Sequence, residues 1–120
     1  MKRLQDQSIQ EKAKNLHELL PEKIPALIVF IRESTKNILK NPENFELIGN
    51  EISREKWLEI IETINEQTEK DYDQLTTNSE YFANTLFKGY VGFIILECIQ
   101  EYLDCCNDEK MFKGIELFFD

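Results

Sequence analysis

The sequence contains few of the residues that form reactive sites or interrupt helices. Its 120 residues include four Gly, three Pro, three Cys and one His. Three cysteines are too few, and odd in number, for a disulfide framework. No catalytic signature, nucleotide-binding loop or spaced metal-ligand motif is recognisable in the chain. The sequence therefore indicates neither an enzyme nor a protein with a bound cofactor or metal.

Long apolar runs are also missing. The two longest, residues 26–31 and 89–96, fall far short of the roughly 20 residues that a membrane-spanning helix needs. The N-terminus does not join a basic segment to an apolar one, as a secretory signal would. We therefore expect a cytoplasmic protein without a membrane span.

The chain does have enough apolar residues to form a core. Hydrophobic residues make up 42% of it, and there are eight Phe. A compact chain of this length buries roughly 65% of the surface that its unfolded form exposes. We therefore predict a single domain, residues 1–120, that folds without disulfides.

Charge is distributed unevenly along the chain, whose formal net charge is −9. Residues 1–40 carry eight Lys/Arg and five Asp/Glu, whereas residues 41–80 carry three and eleven. Residues 81–120 carry three and seven. Because so acidic a surface repels phosphates, we expect no direct binding to nucleic acid.

Two amphipathic helices are predicted in the first 40 residues. The first ends by Leu20 and has Ser8 as its predicted N-cap, and the second begins between Glu22 and Pro25. The second should run to Lys40, because Pro42 follows. Residues 26–31 also fit a buried strand, but the helical spacing of apolar residues continues beyond them and favours a helix.

A third, very regular helix is predicted after a loop at residues 41–52. Ser53 is its predicted N-cap, and it should end near Asn78. Within the loop, Phe45, Leu47 and Ile48 are expected to be tucked inward. The apolar face of the helix consists of Trp57, Ile60, Ile61, Ile64, Thr68, Tyr72 and Leu75.

The stretch from Ser79 to Cys106 is predicted to be the central helix, because it is apolar on most of its circumference and should be buried. Gly89 and Gly92 inside it indicate that another helix crosses closely, with a ligand cavity as the alternative. Residues 109–120 fit a short docking helix, although their alternation also fits a terminal strand. The predicted fold is an all-α bundle of about four main helices with a short C-terminal element, built around helix 79–106.

Isolated reactive residues have ordinary interpretations. We expect His17 at the surface or boundary of the first helix, without a catalytic partner. Cys98, Cys105 and Cys106 fall within two turns of one helix and are predicted to be buried structural thiols; a redox or intermolecular role for the Cys105–Cys106 end is the alternative. Asp71 and Asp73 lack the glycine of a calcium loop and predict no calcium site.

The strongest functional signal is one side of the third predicted helix, where acidic residues recur every three or four positions. Neighbouring like charges on a helix repel by ~0.2–0.5 kcal/mol per pair, and only Lys56 and Lys70 relieve this repulsion. A solvated face, docking onto the basic first helix (within the chain or in a dimer) and binding to a basic partner protein are the three interpretations. This acidic stripe consists of Glu55, Glu59, Glu62, Glu66, Glu69 and Asp73.

The predicted function is that of a small acidic cytoplasmic protein that binds another protein through the acidic stripe, as an adaptor or as an inhibitor of a basic partner such as a nuclease or another nucleic-acid-handling enzyme. The first alternative is a ligand-sensing helical domain with an aromatic pocket formed by Phe30, Phe87, Tyr90 and Phe93. The second, a carboxylate-based metalloenzyme, is disfavoured because the chain has no Glu-x-x-His pair. A homodimer is a further alternative, favoured if the tail at residues 118–119 is exposed.

Overall fold

The computed structural model describes residues 6–44, 52–106 and 108–118, and over these residues the fold is all-α, as predicted. Short 3₁₀ turns lie at Pro21–Lys23 and Pro42–Asn44. Three residues of the 41–52 loop were predicted to be tucked inward: Phe45, Leu47 and Ile48. They lie outside the described residues, as does Phe119. The α-helices are α1 (Asp6–Leu19), α2 (Ile24–Lys40), α3 (Arg54–Lys70), α4 (Tyr72–Thr77), α5 (Ser79–Leu86), α6 (Gly89–Cys106) and α7 (Glu109–Phe118).

The helix count differs from the expected four main helices because two predicted helices are each divided. The third breaks at Asp71, whose backbone has left the helical region and separates α3 from α4. The central one breaks at the two residues between α5 and α6, and Gly89 has a φ of 55° there. Left-handed backbone of this kind is open to glycine at little cost.

The prediction of one central buried helix at 79–106 is therefore wrong. The two helices that replace it meet at 105°. α6 is amphipathic: Ile95 and Ile99 are buried, whereas Phe93 is 50% exposed and Glu97 and Asp104 also face solvent. The apolar circumference seen in the sequence comes from two short helices that bury different faces, not from one sequestered rod.

Other boundaries follow the sequence more closely. α1 ends and α2 begins where the prolines predict, and α2 runs to Lys40 as a helix, not a strand. Ser8 is not an N-cap, because α1 is already helical at Asp6. Residues 109–118 are helical, which confirms the docking helix over that range.

The helices gather around one hydrophobic core whose largest members are Trp57, Phe82 and Phe87. α1 packs on α5 and α7, whereas α2 packs on α3 and α6. Within the described residues, no single helix is both long and apolar enough to cross a membrane. α5 and α6 meet that test of length and composition only as a bent pair.

The close helix crossing predicted at Gly89 and Gly92 lies at a different glycine. A Cβ on Gly92 would lie 3.6 Å from the backbone of Phe87, so its close neighbour is the preceding turn of its own chain, not a crossing helix. The close helix crossing is at Gly114 of α7, where a Cβ would lie 2.7 Å from Leu16 Cδ1 of α1 and 2.9 Å from Cδ1 of Leu20, the residue that follows α1.

Candidate functional site: the acidic stripe on α3 and α4

The start of α3 is fixed by a side-chain cap. Ser53 Oγ accepts a hydrogen bond from the backbone N–H of Lys56 at 3.2 Å, which confirms the predicted N-cap. Trp57, Ile61 and Ile64 then bury one side of the helix. In an amphipathic helix of this kind, the face opposite the buried one is exposed to solvent.

A polar seam between α2 and α3 fixes the rotation of α3 about its axis. Asn65 Nδ2 donates to the carbonyl of Arg32 and to Thr35 Oγ1, both at 2.9 Å. Arg32 Nη2 donates to the carbonyl of Thr68 at 3.0 Å. Thr35 and Thr68 are fully buried, and a buried polar group is costly unless it is hydrogen-bonded. A rotation of α3 would break these bonds, so the seam holds the acidic side outward.

A second polar cluster ties the α3–α4 junction to α5. Tyr81 OH donates to Asp71 Oδ2 at 2.6 Å, and Gln67 Nε2 donates to Tyr81 OH at 3.0 Å and also to Asp71 Oδ2. The hydrogen bond to Asp71, followed by partial burial and the negative charge of Asp71, raises the pKa of the Tyr81 phenol. Asp71 therefore has a structural role at this corner.

All six residues of the acidic stripe are exposed. The five on α3 extend over roughly 21 Å of helix axis, at 1.5 Å per residue, and Asp73 continues them onto α4. Among the described residues, one ion pair involves the stripe: Lys56 Nζ lies 3.5 Å from Glu59 Oε2, and both side chains are largely exposed. The stripe is thus a face of carboxylates that receives little neutralisation from the described part of the chain.

The basic first helix does not cover the stripe. α1 packs on α5 and α7, and its Lys14 pairs with Glu80 of α5 at 3.5 Å. Over the described residues, docking of the stripe onto α1 within one chain is therefore wrong. Lys2 and Arg3, which contribute to the basic charge of this end, lie outside the described residues.

The four aromatic residues of the predicted pocket lie in different environments. Phe87 is buried against Phe82, with ring centroids 5.5 Å apart, and Phe30 packs edge-on against Tyr102 at 5.4 Å. Tyr90 and Phe93 lie at the surface, 38% and 50% exposed. A cavity of about 440 Å³ lies elsewhere, and none of the four lines it. The described residues that line it are Leu103, Asp108, Glu109, Phe112 and Lys113.

His17 is buried, and its prediction as a surface or boundary residue is wrong. Its side chain is 5% exposed, its ring packs on Phe82 with centroids 5.0 Å apart, and its Nε2 lies 3.0 Å from the carbonyl of Leu75. That oxygen can only accept, so Nε2 donates. The acceptor belongs to the last turn of α4, whose carbonyls have no partner within the helix.

The cysteines are in different environments. Cys98 is buried as predicted, and burial, then Glu101 and Glu97, raise the pKa of its thiol to about 12, so it stays protonated near neutral pH. Cys105 is exposed, so the prediction that it is buried is wrong. The side chain of Cys106 lies outside the described part of the structure.

A second acidic surface, on α6, was missed from the sequence. Glu97, Glu101 and Asp104 are all exposed there. Their spacing of four and three residues is the same signal that identified the stripe, but the assumption that residues 79–106 are wholly buried concealed it. Across the residues that the structure describes, no three His, Cys, Asp or Glu side chains are grouped so that they could hold a metal ion.

Comparison of the chain with protein-family models, curated proteins and solved structures finds no match. Inference about function therefore rests on the residues of this chain alone.

Proposed function

We propose that this protein is a small acidic interaction module, an adaptor or an inhibitor, that binds a basic partner protein through the acidic stripe. The observation that supports this most directly is the exposure of all six carboxylates, which are relieved by one exposed ion pair among the described residues. The proposal includes no direct contact with nucleic acid or membrane.

The physical argument is one of complementary charge. Carboxylates at intervals of three and four residues repel one another, by ~0.2–0.5 kcal/mol per pair on an exposed helix. A partner with lysines or arginines opposite them would remove this repulsion and add attraction. Complementary fields also raise association rates and disfavour partners with the wrong charge.

The rigid backing of the stripe also supports binding. The seam to α2 and the Asp71–Tyr81 contact hold α3 and α4 in place, so the helices that carry the carboxylates need little ordering when a partner arrives. A surface that is ordered beforehand loses less entropy on association.

Affinity capture from a cell lysate, with the intact protein as bait, tests the proposal. The stripe variant carries Glu62→Lys, Glu66→Lys and Glu69→Lys. The control variant carries Glu97→Lys, Glu101→Lys and Asp104→Lys, which changes net charge equally on an exposed face of α6. We expect wild type and control to capture the same basic protein at about 0.05 M salt, and much less of it at about 0.5 M.

The stripe variant should capture none of that protein while keeping its helical circular dichroism. Equal capture by the stripe variant would contradict the proposal. An activity assay on the captured protein, with and without the module, then separates an inhibitor from an adaptor.

A further inference from the structure

The corner between α5 and α6 interrupts a sequence that is periodic enough for one continuous helix. Phe82, Leu86 and Phe93 fall on one face of such a helix, and the same face continues beyond them to Leu96 and Leu103. In the structure the chain turns at the two residues between the helices, Phe87 and Lys88, and continues from Gly89 at φ 55°. Nothing lies within 4 Å of the position of a Cβ on Gly89, so backbone conformation, not crowding, favours glycine there.

The helices on the two sides of this corner have different packing partners. α5 packs on α1 and α4, whereas α6, besides its contact with α5, packs on α2 and α3. α7 returns to pack on α1. A second copy of the chain offers the same α2, α3 and α1 surfaces. If the corner straightened, α6 and α7 could therefore repeat their packing on that second copy.

An exposed aromatic pair adjoins the corner and is independent of the backbone argument. Tyr90 and Phe93 lie in the first two turns of α6, with ring centroids 6.2 Å apart, and both are more than one third exposed, although one edge of the pair is covered where Tyr90 packs on Trp57 with centroids 5.6 Å apart. In a straight helix, Phe93 would lie on the face of Phe82 and Leu86. An exposed apolar patch of this kind is typical of a surface that a second chain covers.

We propose that the α5–α6 corner is a hinge through which two copies of this chain exchange α6 and α7. Phe87 holds the closed form, because its buried ring packs on Phe82. Gly89 permits the closed form, because its backbone is left-handed. Exchange of an identical element is a known route to dimers, and short hinges favour it.

Gly89→Ala is the first test, with Gly92→Ala as its matched control. Alanine destabilises the closed form, in which this residue has a left-handed backbone, and stabilises the continuous helix of the exchanged form. Both effects favour exchange, and they apply to each of the two chains. We expect light scattering after size exclusion, in reducing buffer, to show that Gly89→Ala raises the association constant for dimerisation by at least about 100-fold. Gly92→Ala should behave as wild type. A folded Gly89→Ala chain that stays as monomeric as wild type would overturn the proposal.

A charge-exchange pair distinguishes exchange from simple side-by-side association. Lys23 Nζ and Asp108 Oδ2 are 3.0 Å apart, on opposite sides of the hinge in the chain. One chain carries Lys23→Asp and the other Asp108→Lys, so each alone has two like charges in place of the ion pair. Exchange between the two chains forms two ion pairs: the native Lys23–Asp108 pair in one half of the dimer, and a pair with the two charges reversed in the other half.

The two variants are refolded together and separately from denaturant at high concentration, in the Gly89→Ala background and in the wild-type background. The wild-type background keeps the test valid if Gly89→Ala does not fold. A mixed dimer in clear excess over either homodimer is the expected result. Dimers formed without preference, or no dimer in the wild-type background, would overturn the proposal.

Discussion

His17 and the carbonyl of Leu75 link α1 to α4 by a buried hydrogen bond of 3.0 Å between residues 58 positions apart. His17→Ala would leave that carbonyl unpaired and open a cavity beside Phe82. We expect it to lower the free energy of unfolding by about 2–4 kcal/mol. Lys14→Ala, which removes an exposed ion pair on the same helix, should cost less than about 0.5 kcal/mol. Urea unfolding measures both, and equal small losses would contradict the role of His17.

Asp108 stabilises the chain through its charge and as a cap. Its carboxylate pairs with Lys23 at 3.0 Å and accepts from the backbone N–H of Met111 at 3.2 Å. The bond from Lys23 is the main cause that lowers the pKa of Asp108, with smaller contributions from Met111 and Tyr102. Because the pKa is lower in the folded chain, the charge stabilises the fold above about pH 4, and this stabilisation is lost as the pH falls through the lowered value.

The substitution Asp108→Asn should therefore cost about 1 kcal/mol at pH 7, because asparagine still caps but carries no charge. Unfolding curves from pH 7 down to about pH 2 should show the two proteins converging in stability as wild-type Asp108 becomes protonated. Asp108→Ala loses the cap too and should cost roughly a further 1 kcal/mol. A difference between wild type and Asp108→Asn that does not change with pH would rule out the electrostatic explanation.

Residue environments were predictable only where their cause is local. Ser53 caps α3 through a bond to Lys56, three positions away, and the sequence predicts it correctly. The burial of His17 depends on a hydrogen-bond acceptor 58 positions away, so the sequence of α1 alone cannot predict it. The two halves of the polar seam, at Thr35 and Asn65, were missed for the same reason.

Packing between elements is closest where α7 crosses α1 at Gly114. A Cβ there would approach two buried leucine side chains to 2.7 and 2.9 Å, so Gly114→Ala forces Leu16 and Leu20 to move. We expect a loss of about 1–2 kcal/mol in stability despite the better helix propensity of alanine. Gly92→Ala, whose Cβ would find ordinary contact, should be neutral or stabilising by up to about 1 kcal/mol. Thermal unfolding that moves both variants in the same direction would contradict this packing.

Helix ends were predictable where proline marks them and less so elsewhere. The ends of α1 and α2 lie where the prediction places them from Pro21, Pro25 and Pro42. The breaks at Asp71 and Gly89 depend on contacts made after folding: the bond from Tyr81 to Asp71, and the seating of Phe87 on Phe82. Periodicity alone continues through both positions and therefore predicts unbroken helices.

For the whole molecule, the position of the acidic stripe follows from what α3 buries. Trp57 and its apolar neighbours face the core, the seam to α2 fixes the rotation, and the carboxylates are directed to solvent. The sequence predicted this face correctly because its period and its apolar counterpart lie in one helix. It could not predict the position of α1, since that depends on how α5 and α7 pack.

Binding through the acidic stripe is measured by titrating the purified captured partner against wild type, the stripe variant and the α6 control variant at several salt concentrations. We expect the dissociation constant to rise at least roughly 10-fold for the stripe variant and to change little for the control. The affinity of wild type should also fall steadily as salt increases. Equal weakening of both variants would show that net charge alone matters, and would contradict binding through the acidic stripe.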